Sequence, residues 1–106
     1  MIKSLKKLFG IGSGTDFAEL KKNGAIILDV RSPGEYAGGH IDGSMNIPVD
    51  KLKSNLQLFK DKNKPIITCC ASGMRSRMAK GILTSNGFTG VYNGGSWITL
   101  QSKLKQ

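Results

Sequence analysis

The stretch Ala25–Glu35, AIILDVRSPGE, decides the fold. Ala25 to Val30 is a run of apolar, β-forming residues interrupted only by Asp29, the pattern of a strand covered on both faces of a parallel sheet. Ser32 then offers a helix cap, Pro33 suits the first helical position, and Glu35 completes a capping box three residues after the cap. A strand that runs straight into a helix is the building unit of an α/β protein.

Working outward, the same alternation recurs. Upstream, TDFAELKKNG predicts a helix with an Asp16–Glu19 start and a stop at Gly24. Downstream, Ser44–Ile47 is a short extended piece ended by Pro48, and Asp50 is expected to cap a helix through Phe59. Ile66–Cys69 reads as a strand, Arg75 onward as a helix closed by Gly87, and GVYN as a final strand. Gly94 and Gly95 read as a tight turn before a last helix capped by Ser96, with Trp97 in the core. One open, largely parallel sheet with helices on both sides follows.

The chain has 106 residues, the size of one domain, with 39% hydrophobic and 22% charged residues. No apolar run reaches the roughly 18 residues needed to span a bilayer, so no membrane span is expected and a cytoplasmic address is the default. Residues 1–14 form a basic segment, MIKSLKKLFG at its start, read as frayed or docked; residues 15–106 are the domain. The net charge of +9 favours small anions or acidic partners. The lysines are dispersed, with no aromatic-basic interleaving, so nucleic acid is not an expected partner. Nothing demands more than a monomer.

The chemistry concentrates in TCCASGMRS, Thr68–Ser76, which holds both cysteines of the chain. A disulfide between Cys69 and Cys70 would have to close across α-carbons about 3.8 Å apart, too short for an unstrained bridge. Two adjacent cysteines and one histidine also lack the ligand number and spacing of a zinc site, so no metal is expected. In a strand the two side chains point to opposite faces, which assigns them different tasks. Cys69 reads as a small buried apolar residue. Cys70 stands where the strand gives way to a loop, the position at which open α/β sheets bind ligands.

Ala71, Ser72 and Gly73 are small enough for backbone N–H groups to converge, and Gly73 tolerates a positive φ. Arg75 and Ser76 lead into a helix whose first turn favours negative charge. Such donors would favour the Cys70 thiolate below its ordinary pKa of ~8.5 and would hold an anionic substrate, with Arg75 as a fixed cation. On local spacing alone, a cysteine that merely ends a strand before an ordinary helix stays an equal alternative.

CASGMRS, Cys70–Ser76, resembles the active loop of the rhodanese family of sulfurtransferases, a cysteine and an arginine separated by four residues. LDVRSPGEYAGGHIDGSMNIP, Leu28–Pro48, and VYNGGSW, Val91–Trp97, resemble that family's opening and closing signatures. The resemblance implies a five-stranded, mostly parallel sheet and a sulfur-transfer cycle through a persulfide on Cys70. It implies that Ala71, Ser72, Gly73, Met74 and Arg75 hold the anion, that the donor is a small anion such as thiosulfate, and that the acceptor is cyanide, a thiol or a protein. It implies no metal or organic cofactor. Two other functions compete: a persulfide carrier or binding module without small-donor turnover and, ranked below it, a phosphatase or arsenate reductase, whose related loop is one residue longer. Asp29 and Arg31 are expected to form a structural ion pair, and His40 is left outside the catalytic set.

Overall fold

The computed structural model describes residues 14–105. The expected basic segment therefore lies, apart from Gly14, outside the described residues.

Helix α1, Phe17–Lys22, opens as its sequence predicts: the Asp16 carboxylate accepts the Glu19 amide at 3.0 Å. Strand β1, Ile26–Asp29, leads into α2, Pro33–Ala37. The capping box forms in both directions, with Ser32 Oγ accepting the Glu35 amide and the Glu35 carboxylate accepting the Ser32 amide. Strand β2, Met45–Asn46, stops two residues before Pro48. Here one expectation fails, since Pro48 rather than Asp50 holds the cap position of α3, Val49–Leu52. The chain then tightens into a 3-10 segment, Lys53–Leu58, in which Asn55 leaves helical angles. Proline's fixed φ starts the helix two residues early and leaves Asp50 in its first turn, where a carboxylate favours the positive end of the dipole.

Strand β3, Ile66–Cys70, includes Cys70 as its last residue, and α4 runs from Met74 to Ser85. Strand β4, Val91–Ser96, is longer than expected and contains Gly94 and Gly95, which are not a turn. A register shift opposite Thr68 and Cys70 accommodates them as a bulge. The Ser96 hydroxyl caps α5, Trp97–Leu104, by accepting the Thr99 amide at 3.2 Å.

The four strands lie in the order β2-β1-β3-β4 and every pairing is parallel. The resemblance implies five strands, and the described residues form four. Alternate residues of β1 and β3 feed two layers. Leu28, Val30, Ile66 and Cys70 pack with Leu52, Ala79 and Leu83 on the α3–α4 face, while Ile27, Ile67 and Cys69 pack with Phe17 and Leu100 on the α1–α5 face. Helices thus cover both faces. Leu83 and Leu100 are fully buried anchors of the two layers, and truncating such a leucine to alanine costs about 2–5 kcal/mol.

Candidate active site

The parallel arrangement brings the ends of β1 and β3, the start of α4 and the bulge of β4 to one edge of the sheet. Cys70, closing β3, lies across from Ser96, whereas Cys69 lies across from Asp29 on the other side of the strand. Both thiols are free and fully buried, in opposite layers. Desolvation pushes the Cys69 thiol up to about 12, with nearby Asp29 adding to the rise and Arg31 opposing it. Cys69 is therefore protonated, and inert as a nucleophile, near neutral pH.

Cys70 has a different setting. The chain turns back over its sulfur through Ala71, Ser72 and Gly73. Gly73 takes φ +110° at the cap position of α4, where its N–H points at the Cys70 sulfur, 2.9 Å away. A side chain at Gly73 would be strained in that left-handed conformation, so glycine there is what lets the loop close on the sulfur. Ala71 and Ser72 stand exposed around the loop, and Met74, the first residue of α4, is 74% exposed.

Arg75 does not turn inward to the sulfur. Its two terminal nitrogens donate to the two carboxylate oxygens of Glu35, Nη1 to Oε1 at 2.7 Å and Nη2 to Oε2 at 3.0 Å. That fork holds the Glu35 carboxyl down at about 2, helped by the Ser32 amide and hydroxyl. The guanidinium of Arg75 is driven further above its already high value by the same bond. The structure thus gathers Cys70, Ala71, Ser72, Gly73, Met74 and Arg75 into one loop and helix start, with a single amide on the sulfur and the arginine tethered at the side.

Beneath the loop runs a chain of hydrogen bonds. Asn93 Oδ1 accepts the Gly95 amide at 2.9 Å and the Ser76 hydroxyl at 2.6 Å. Since the Ser76 proton is committed to Asn93, Thr68 Oγ1 donates to Ser76 Oγ, at 2.7 Å. Strand β3, the first turn of α4 and the bulge of β4 are thereby fastened together below the cradle. The bulge also lies close: a Cβ built on Gly73 would sit 3.9 Å from the Gly95 Cα.

The β1 side carries the expected ion pair. Arg31 donates to both oxygens of the buried Asp29 carboxylate, reaches the Gly39 carbonyl at 2.7 Å, and lies over the Trp97 ring at 4.7 Å. Trp97 itself is only partly buried. His40 stacks on Tyr36 with ring centroids 3.8 Å apart and shares a 2.7 Å contact with the Tyr36 carbonyl, which requires a proton on Nδ1. It belongs to the α2 support rather than to the loop.

Sequence reasoning missed the second task of Glu35 and the Thr68–Ser76–Asn93 chain. One signal was available for Ser76: with Ala79 and Leu83 it falls on the buried face of α4, where a hydroxyl needs a partner.

The family model of the rhodanese-like domain matches residues 13–96. An uncharacterized Bacillus subtilis protein, YqhL, is 41% identical over 69 residues, covering 65% of this chain and 54% of that protein. The thiosulfate sulfurtransferase GlpE of Ectopseudomonas mendocina is 36% identical over 75 residues, covering 71% and 68%. The chain thus spans about half the length of the first relative and about two thirds of the second. Among solved structures, a rhodanese with anions from E. coli superposes with a TM-score of 0.67 at 34% identity, covering 71% of this chain and 89% of that one.

Proposed function

The chain belongs to the rhodanese-like domain family, and from that membership we propose that it transfers sulfane sulfur through a persulfide on Cys70. The observation that carries this reading is the Gly73 N–H held 2.9 Å from the Cys70 sulfur by a left-handed glycine at a helix start. A backbone N–H aimed at that sulfur is placed to solvate the atom that acts as the nucleophile in thiol chemistry.

In the proposed cycle the Cys70 thiolate attacks the outer sulfur of thiosulfate. A new S–S bond forms, the S–S bond of thiosulfate breaks, and its electron pair leaves on sulfite. An acceptor thiolate or cyanide then attacks the outer sulfur of the persulfide, and the Cys70 thiolate departs. No net oxidant is needed. Ala71, Ser72, Gly73 and Met74 supply the backbone around the transferred atom, and Arg75 supplies positive charge at its edge. Four residues between Cys70 and Arg75 make a ring suited to one sulfur atom rather than to a tetrahedral phosphate or arsenate.

Intact mass measurement after incubation with thiosulfate tests the cycle. The expected result is a gain of one sulfur atom that disappears on adding thiol or cyanide and is absent from Cys70→Ser. An unchanged mass, or efficient release of phosphate from aryl phosphates, would overturn the assignment.

A further inference from the structure

Helix α4 turns Ser76, Ala79 and Leu83 toward the sheet. At about 100° per residue its opposite side carries Met74, Met78, Gly81 and Ser85 in a row that starts within the Cys70 loop. Met74 and Met78 are 74% and 54% exposed, two of the four large apolar side chains exposed among the described residues. Alongside the row, a groove of about 400 Å³ is lined by Lys53, Met78, Gly81, Ile82, Ser85 and Asn86.

Charge frames this row on both sides. Arg77 and Lys80 follow one flank and Lys53 stands across the groove, all three exposed and none in an ion pair among the described residues. On α3, the 3-10 segment, β3 and β4, which pack against α4, Asp50 is the one acidic side chain, and the other carboxylate that reaches the helix, Glu35 of α2, is occupied by Arg75. Gly81 adds an independent sign. Glycine is unfavourable in a helix interior, yet a Cβ at this position would meet nothing within 4 Å, so the fold gives no reason for its absence. It leaves a dip in the row where another backbone or side chain can approach closely.

We propose that this face of α4 docks an acidic, apolar-anchored segment of the protein whose thiol takes the sulfur from Cys70. The inference rests on the proposed sulfur transfer. Exposed methionines adapt their shape to an apolar partner, and the three cations select one rich in Asp and Glu. Because the row begins at Met74, a segment lying along it ends over the loop. A concave groove beside a single helix suits a protruding side chain better than a flat bilayer.

Two synthetic amphipathic peptides test this, alike in leucine positions, one with Glu and one with Lys on the polar face, each ending in Cys. With the terminal Cys replaced by Ser, the acidic peptide should shift backbone amide resonances of Lys53 and of residues 77–86, while the basic one should not. With Cys present, the acidic peptide should accept sulfur at least tenfold faster than the basic one at low salt, and the gap should narrow as salt screens the charges. Met78→Ser and Lys53→Glu should each slow transfer to the acidic peptide about tenfold and leave transfer to dithiothreitol within twofold.

Resonance shifts confined to other surfaces, or equal rates with both peptides, would overturn the docking face even if thiosulfate loads Cys70 normally. Shifts of the same amides by anionic phospholipid vesicles but not by the acidic peptide would overturn it in favour of a membrane contact. A protein that binds the acidic peptide along α4 but never gains sulfur would instead sink the transfer reading.

Discussion

Arg75 grips Glu35 with both terminal nitrogens, at 2.7 and 3.0 Å, across forty residues of sequence. The same carboxylate closes the capping box of α2, so one acidic side chain starts a helix and tethers the arginine of the Cys70 loop. Both partners are partly exposed, which makes the pair a positional device more than a source of stability.

Glu35→Gln should therefore lower kcat/KM for thiosulfate by on the order of tenfold, since misplacing a positioning group by ~1 Å can cost up to a hundredfold. Glu35→Asp should not restore the rate, because its shorter arm cannot cap α2 and span to Arg75 together. Steady-state kinetics of both variants decide the matter. A full rate in Glu35→Gln would show that the tether is dispensable.

The pair also sets an acid limb. The Glu35 carboxyl is held at about 2, well below its ordinary value, so its contribution to stability is present above about pH 4.5 and is lost as pH falls toward 2. Thermal melts of wild type and Glu35→Gln should differ by a constant amount above pH 5 and converge between pH 4.5 and 2. Parallel curves down to pH 2 would contradict the depressed carboxyl.

Cys69→Ala should load sulfur from thiosulfate as wild type does, because its thiol lies in the opposite layer and is raised to about 12 by burial. A raised thiol contributes stability that is intact below the unfolded value near 9 and lost as pH climbs to 12. The alanine variant should accordingly show a shallower alkaline decline in melting temperature between pH 9 and 12. Mass measurement and alkaline melts together check both halves.

Gly94→Ala should destabilise the fold by about 1–3 kcal/mol, the usual cost of overpacking. Its Cβ would come to 2.6 Å from the Thr68 carbonyl oxygen and 2.9 Å from both Ile67 Cγ2 and Leu100 Cδ2. Urea denaturation reads the loss directly. An unchanged midpoint would mean that the bulge of β4 relaxes without penalty.

Ser76→Ala removes the middle of the Thr68–Asn93 chain and should cost about 1–2 kcal/mol. Because the chain fastens the first turn of α4 below the loop, KM for thiosulfate should rise as well. Ser76→Thr tests whether a hydroxyl alone suffices; a buried, overpacked methyl should leave stability below wild type even where the bond is kept.

Much of this architecture was legible because its signals are local. Ala25–Val30 carries β-forming residues over a continuous run, and Ser32–Glu35 satisfies its capping bonds within four residues, so neither needs distant partners to be read. The opposed thiols followed from strand alternation alone. What escaped depends on encounters across the fold. Glu35 meets Arg75, and Ser76 meets Asn93, only after the sheet has assembled, and a glycine pair can mark a turn or a bulge until its partner strand is known. The start of α3 was misassigned because proline's backbone preference competed with a nearby acidic side chain, and the backbone prevailed.

Strand β3 is held on both sides by parallel neighbours, and its side chains divide between two helical layers. The identity of the sulfur beneath the loop is thus a matter of parity. Removing one residue from β3 would exchange the sets that face the two layers and turn the Cys70 sulfur to the α1–α5 side, whereas removing two would keep the phase and shorten only the reach. The connections on either side of β3 carry no such constraint, because only the count within the strand decides which layer a thiol faces.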